Sequence, residues 1–383
     1  HAVEPTDMVT PAFIYADVVA PRFKPAHGPS RMAKRSWTSI FTRSMTRSLA
    51  TLQRSALRSA LPATRRALKA VTPTVARVKP VARGRTAVKA PGKGATAAGQ
   101  WLPGVAIGPS GARRYRLYRP AGIRPGERVP LLVMLHGCGQ DAKGFADSTR
   151  MNRIAAREGF LVLYPEQERL ANAQGCWNWF DTRSGRAWGE VALIMAAIDQ
   201  VCTLYPADLE RVAVAGLSAG ASMAALLVTR HPTRFRALVM HSGVPPGSAH
   251  STLSALGAMR GRRPAAALPA VPMALTVNLP PLLVIHGGRD AVVAPGNGDT
   301  AAQGWADAAG ASAGAPRTMQ RGKRHPMTVT DFRLRGRTVV TQIGIPGLAH
   351  AWSGGAASEP YGDAKGPDAS RMVWAFAARQ FKS

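Results

Sequence analysis

Cysteine, acidic side chains and aromatics are all scarce in this chain. Three cysteines in 383 residues, Cys138, Cys176 and Cys202, cannot build a disulfide framework, and none has the Cys or His spacing of a zinc site. They admit one bridge with one thiol left over. No uninterrupted apolar run reaches the eighteen or so residues that cross a bilayer as a helix, so a spanning segment is not expected. Acids number 21 against 50 Lys and Arg, a formal net charge of +29. None occurs between Asp17 and Glu127, and the first hundred residues carry 18 Lys and Arg against three acids. That balance favours contact with anionic surfaces and says nothing about fold. Residues 62–100 have one aromatic-free basic stretch after another, so a nucleic acid would find phosphate attraction there but nothing to stack on. No specific nucleic-acid partner is expected.

The chain divides by composition. Residues 1–31 are proline-bearing and without helical or strand period, and read as a disordered or non-native leader; they also lack the basic start, apolar core and cleavage site of a secretory signal. Residues 32–61 read as a basic amphipathic helix. At 100° per residue, Trp37, Phe41, Met45, Leu49, Leu52, Ala56 and Ala60 share one face while Arg43, Arg47, Arg54 and Arg58 gather opposite. Such a stripe must be covered, by the chain's own globular part, by a polymer granule or by an anionic membrane surface, unless the segment serves targeting. Residues 62–100, rich in Pro, Ala, Gly, Lys and Arg, read as a flexible basic linker.

From 101 to 383 the pattern is that of a folded α/β domain. Val129–Leu135, Phe160–Pro165, Arg211–Ala215, Phe235–Met240 and Pro281–Ile285 are continuous apolar runs of the kind buried on both sheet faces. Helical stretches at Phe145–Glu158 and Trp188–Tyr205, and after Gly216 and Asp368, alternate with them. Arg114–Arg119 reads as an edge strand, 244–278 as a loop or partial lid, and Val329–Leu334 with Thr338–Ile343 as a late hairpin around Gly336. Alternation of this kind predicts a mostly parallel twisted sheet with helices on both faces.

Gly216-Leu217-Ser218-Ala219-Gly220 sits between a strand and a helix, the context in which a glycine-flanked serine is thrust out above a sheet edge as a nucleophile. A serine hydroxyl needs an imidazole to take its proton, and the imidazole needs a carboxylate to hold its tautomer. Asp290, just past the run ending in Ile285, and His350, past the last strand, supply these in the order Ser, Asp, His. Asp299 reads instead as a helix cap, Asp331 lies within a strand and Asp363 in a C-terminal loop. His231 and His250 fall in loops, while His136, His241 and His286 sit at strand ends where structural histidines are common. The oxyanion of an acyl-transfer intermediate requires backbone N–H donors. Ala219, directly after the serine, and Cys138, in the turn His136-Gly137-Cys138-Gly139-Gln140, are the candidates. The chemistry calls for neither a metal nor an organic cofactor.

His136-Gly137-Cys138-Gly139-Gln140, Cys176-Trp177-Asn178-Trp179-Phe180, Gly216-Leu217-Ser218-Ala219-Gly220, His350-Ala351-Trp352-Ser353-Gly354-Gly355 and Gly366-Pro367-Asp368-Ala369-Ser370 together resemble the polyhydroxybutyrate depolymerase family of esterases, relatives of feruloyl and acetylxylan esterases. The resemblance spans about residues 101–381 and implies an α/β-hydrolase fold. It further implies ester hydrolysis through Ser218, Asp290 and His350, on a polyester or a small ester. It implies a Cys138–Cys176 disulfide pinning the Trp177–Trp179 loop beside the oxyanion turn, and substrate contacts at Gln140, Trp177, Trp179 and Trp352. Gly189-Glu190-Val191 departs from the acidic pair or Asp-Val common in relatives, and Ala349 stands where a glycine is usual. A monomer is expected, with an extracellular setting favoured by the resemblance and an intracellular granule surface as the alternative. The rival readings are a feruloyl, acetylxylan or general short-chain esterase, and a non-catalytic surface-binding protein.

Overall fold

The computed structural model describes residues 99–262 and 279–382. The expectations for residues 1–31, for the helix at 32–61 with its face at 37–60, and for the linker up to residue 98 lie outside the described residues, as does 263–278 of the expected loop. Among the described residues, eleven strands form one sheet. These are β1 (Gln100–Gly108), β2 (Gly111–Arg119), β3 (Val129–Leu135), β4 (Leu161–Pro165), β5 (Ala207–Leu217), β6 (Ala237–His241), β7 (Leu282–Gly287), β8 (Ser312–Ala313), β9 (Arg317–Met319), β10 (Met327–Leu334) and β11 (Arg337–Ile345). A separate short pair joins β12 (Trp352–Ser353) and β13 (Gly362–Asp363). The helices are α1 (Ala142–Thr149), α2 (Met151–Glu158), α3 (Arg186–Leu204), α4 (Ala219–Arg230), α5 (Thr252–Met259), α6 (Gly296–Ala309) and α7 (Ala369–Gln380).

Strand order is β1-β2-β4-β3-β5-β6-β7-β11-β10-β8, with β9 also paired to β10. The six central strands from β4 to β11 are parallel neighbours, and antiparallel strands flank them on both sides. From β3 the chain steps out to β4 and then returns across β3 to β5. Such a reversal opens a crevice at the carboxyl ends of the strands, the end that carries functional loops in open α/β sheets.

The apolar runs are continuous because each strand serves two cores. Leu131, Val133, Leu135, Val212, Val214, Leu238, Met240, Leu282 and Val284 face α3, α4 and α6. Their alternates Leu132, Met134, Ala213, Ala215, Val239, Leu283 and Ile285 face α1, α2 and α7. Fully burying one such aliphatic side chain stabilises by roughly 1.5–3 kcal/mol, so truncations along β3 or β7 fall among the costly core substitutions. Helix α3 is long and apolar enough to match a membrane-crossing helix, but Val191, Ile194, Ile198 and Val201 are buried against β1, β2 and β5, making it a core helix.

Two expectations need correction. The helix expected over Phe145–Glu158 is two, because Arg150 adopts a left-handed conformation (φ 55°) whose N–H closes the first helix on Ala146 O. Its guanidinium thereby reaches the carbonyl of Gly354. The strand at Arg114–Arg119 is not the edge: β1 lies outside it along its whole length.

Candidate active site

Ser218 occupies the sharp turn between β5 and α4 at φ 55° and ψ −120°, a conformation that L residues rarely hold without support. The support comes from two close backbone approaches. A Cβ at Gly216 would stand 2.3 Å from Gly220 C and O, and a Cβ at Gly220 would stand 2.1 Å from Leu135 O. Only glycine lets the turn close on itself and on the end of β3. Ser218 N–H donates to His241 O at 2.9 Å, and Ser218 O accepts from Ser222 N–H at 3.1 Å. The Ser218 side chain makes no capping bond to α4, which leaves its hydroxyl available for other chemistry.

Asp290 follows β7 and His350 follows β11, the next strand in the sheet, and again glycines bring the two loops together. Cβ atoms at Gly287 and Gly288 would lie 2.3 Å from Leu348 O and 2.9 Å from Pro346 Cα. The loops are stitched by Gly288 N–H to Ile345 O at 2.8 Å and Arg289 N–H to Leu348 O at 2.9 Å. His350 Nδ1 then donates to Asp290 Oδ2 at 2.7 Å, while Asp290 Oδ1 accepts from the N–H groups of Val292 at 3.0 Å and Val293 at 2.8 Å. Burial raises the Asp290 pKa. Bonds from His286 and His350, and from Val293 N–H, outweigh burial and hold it well below the ordinary carboxylate range. With its Nδ1–H committed to a permanent anion, the His350 ring presents Nε2 as a proton acceptor.

One residue ties the elbow to the histidine loop. His241, fully buried at the end of β6, gives its carbonyl to Ser218 N–H and its Nε2 to Ser353 N–H at 3.1 Å, three residues past His350. Its ring stacks on Trp352 with centroids 4.9 Å apart, and Nδ1 donates to Ser242 Oγ at 3.2 Å. Ser218 and Asp290 are only 9% and 5% exposed, so the polar groups work in a largely dry setting.

The turn after β3 sits against the elbow, since Gly220 packs on the carbonyls of Leu135 and His136. Within it Gly137 N–H donates to Gln140 Oε1 at 3.0 Å, Gln140 N–H to Gly137 O at 3.2 Å and Gly139 N–H to Gln174 O at 3.0 Å. The Cys138 amide takes no part in these bonds. A disulfide joins Cys138 to Cys176 and so holds the Trp177–Trp179 loop beside the turn, while Cys202 is a buried free thiol.

That loop is organised by a residue sequence reasoning had not placed in the site. Glu190, 3% exposed on α3, accepts from Asn178 N–H at 2.8 Å, Asn178 Nδ2 at 2.6 Å and Gln167 Nε2 at 2.6 Å. Gln167 N–H in turn donates to His136 Nε2 at 3.0 Å, and the buried guanidinium of Arg113 contacts Gln167 Oε1 and lies 5.5 Å over the Trp177 ring. The signal was an isolated acid within an apolar helix, which can be buried only if its oxygens are fully engaged.

The aromatic wall expected for substrate is not formed by Trp177 and Trp352. Both are fully buried, their indole N–H groups donating to His136 O at 3.1 Å and Ser370 Oγ at 3.0 Å. Trp179 is also buried and packs edge-on to Phe180. Gln140 uses its side-chain carbonyl to shape the turn. Of the rival acids, Asp299 lies in the first turn of α6 and accepts from Gln342 Nε2, Asp331 pairs with Arg317, and Asp363 pairs with His325. Among the described residues, no three His, Cys, Asp or Glu side chains gather in a way that could hold a metal.

Comparison with known proteins adds to this geometry. The family model for the esterase PHB depolymerases matches residues 113–322. The chain belongs to that family. Poly(3-hydroxyalkanoate) depolymerase C of Paucimonas lemoignei is 31% identical over 176 residues, covering 44% of this chain and 42% of that protein. Feruloyl esterase B of Neurospora crassa is 31% identical over 131 residues, covering 34% of this chain and 44% of that protein. This member of the family therefore spans less than half the length of either relative. Among solved structures, the acetyl xylan esterase from Aspergillus awamori superposes with a TM-score of 0.52 at 20% identity over 66% of this chain and 94% of that one, which shows the α/β-hydrolase fold.

Proposed function

We propose that this protein is a serine carboxylic-ester hydrolase in which Ser218 is the nucleophile, His350 the general base and Asp290 its orienting carboxylate. The observation that carries the reading is the 2.7 Å His350 Nδ1 to Asp290 Oδ2 bond, at the strand ends of the same sheet that carries a strained, glycine-braced Ser218. His350 Nε2 removes the Ser218 proton as Oγ attacks the ester carbonyl. The resulting oxyanion is held by the N–H groups of Cys138 and Ala219. His350 then returns the proton to the departing alcohol, leaving an acyl-serine, and in the second half activates water to release the acid. Asp290 stays ionised throughout and stabilises the imidazolium.

Family membership supports a polyester of the 3-hydroxyalkanoate type, or its oligomers, as substrate. A feruloyl- or acetyl-type carbohydrate ester is the second reading, favoured by relatives bearing those names. The Cys138–Cys176 bridge supports an oxidising, extracellular setting. The basic amphipathic pattern at residues 37–60 supports adsorption of a monomeric enzyme to a polymer or anionic surface.

Ser218→Ala is expected to lower kcat on p-nitrophenyl butyrate by on the order of 10³ or more with unchanged folding. Near-normal hydrolysis by that variant would overturn the assignment. Clearing of a polyhydroxybutyrate suspension, set against ferulate release from methyl ferulate by the same preparation, separates the two substrate readings.

A further inference from the structure

Far from the triad, strands β9, β10 and β11 and the end of α7 enclose a groove of about 600 Å³ whose lining includes Arg317, Asp331, Arg333, Arg337, Thr341 and Arg379. Arg337 opens β11 and Ile345 closes it, and the groove's lining on this strand runs from Arg337 to Thr341, so at 3.3 Å per residue it lies roughly 13 to 26 Å from the point where the chain turns towards His350. It is a separate place on the molecule with its own chemistry.

Positive charge is concentrated in its lining. Several arginines elsewhere each meet one carboxylate, as in Arg114 with Glu168, Arg211 with Asp208, Arg234 with Asp199 and Arg236 with Glu210. Here four arginines and one carboxylate line a single groove. Asp331, on β10, accepts from Thr341 Oγ1 at 2.8 Å through Oδ1 and from Arg317 Nη1 at 2.8 Å through Oδ2, with Arg333 Nη2 at 3.6 Å. Both its oxygens are engaged. Among the described residues Arg337 and Arg379 have no carboxylate partner, and Arg379 only touches Ala375 O of its own helix at 3.3 Å. Asp331 is 8% exposed and fixes Arg317 in place, while buried Phe376 floors the groove with apolar surface that strengthens electrostatic attraction above it.

Three uncompensated positive charges on planar donors call for a ligand with several negative charges and paired oxygens, which a phosphate chain supplies and a simple monocarboxylate does not. The volume falls within the range of small-molecule sites and exceeds the needs of one phosphate. We propose that this groove is a binding site for an oligophosphate, either free or as the triphosphate of a nucleotide, held by Arg317, Arg333, Arg337 and Arg379.

Isothermal titration of the full chain with tripolyphosphate, ATP and inorganic phosphate at about 150 mM NaCl tests this, since free surface charges are largely screened there. The expected result is one tight site for tripolyphosphate per chain. Arg337→Ala/Arg379→Ala should weaken it at least tenfold, and Arg337→Lys/Arg379→Lys should weaken it several-fold by keeping charge without the fork. Arg153→Ala/Arg157→Ala, an exposed pair on α2 with the same loss of charge, should leave it unchanged. ATP binding as tightly as tripolyphosphate extends the site to nucleotides, and ATP failing to bind confines it to free chains. Equal weakening by the groove and α2 variants, or inorganic phosphate binding as tightly as tripolyphosphate, would overturn the proposal.

Discussion

Acidification from pH 7.5 to pH 5 should destabilise this protein mainly through two fully buried imidazoles, His136 and His241, with the half-buried His231 adding in the same sense, before carboxylates contribute. Burial is the main cause in each case, lowering His136 from its ordinary value near 6.5 to about 4 and His241 to about 3. The hydrogen bonds explain why a proton has nowhere to go. His136 Nε2 accepts from Gln167 N–H and its Nδ1 donates to Gly137 O at 2.9 Å. His241 Nε2 accepts from Ser353 N–H and its Nδ1 donates to Ser242 Oγ. Protonating either ring would turn Nε2 into a donor facing a donor. The folded values lie below the unfolded one, so as pH falls the unfolded chain takes up these protons first. The stabilisation is complete above about pH 6.5 and is lost progressively towards the folded values. At pH 5 the unfolded state gains roughly 2 kcal/mol per histidine, about 4 kcal/mol together, from the linkage relation. Asp290, with its depressed value, acts in the same sense but only below the ordinary carboxylate range, so it does not blur this window. Urea unfolding followed by tryptophan fluorescence is a fitting assay, because Trp177 and Trp352 lie against the two rings at centroid distances of 5.4 and 4.9 Å. His136→Gln and His241→Gln should each flatten the pH dependence by about half, whatever their own stability. A wild-type stability that changes by less than about 1 kcal/mol over this range, or variants with an unaltered slope, would refute the reasoning.

Other expectations follow from the same contacts. Glu190→Gln keeps one carbonyl oxygen where two carboxylate oxygens served three N–H donors, leaving at least one buried donor unpaired. A loss of about 1–3 kcal/mol is expected in chemical denaturation, with a fall in kcat on p-nitrophenyl butyrate as the turn beside Ser218 loosens. Reducing the Cys138–Cys176 bridge frees a loop with a sequence separation of 38. The loss is about 4 kcal/mol on the chain-entropy account, measurable as a lower urea midpoint in dithiothreitol. Gly220→Ala would drive a methyl group into the carbonyl of Leu135, and soluble protein with near wild-type activity would contradict the proposed elbow geometry. Asp290→Asn should cut kcat by on the order of 10³ or more by favouring the wrong His350 tautomer, a loss that appears in kcat rather than KM.

The central strands were legible because burial on both faces leaves an unmistakable run, as at Leu131–Leu135 and Val212–Ala215. The order of Ser218, Asp290 and His350 was legible because the first two follow such runs and the third follows the second strand of the late hairpin. β1 was not, since Pro103 and Gly104 interrupt its alternation and its pairing with β2 supplies what its own pattern lacks. The break at Arg150 was hidden because arginine is an ordinary helix former, and it is tertiary contact with Gly354 that rewards the left-handed turn. Trp177 and Trp352 misled for a related reason: an indole beside a site can serve it either by facing substrate or by bracing the walls, and pattern alone does not separate the two. Glu190 carried a signal, an acid on an apolar face, but its partners are brought together only by folding.

The backbone of Ser218 and the loop that bears His350 both hang on one residue, His241, the first on its carbonyl and the second on its ring, so the spacing of the proposed nucleophile and base is gauged by a single buried residue rather than by the long loops between them. Changes of length in the segments after β6 and around α5 would therefore leave the placing of the Ser218 backbone against the His350 loop untouched.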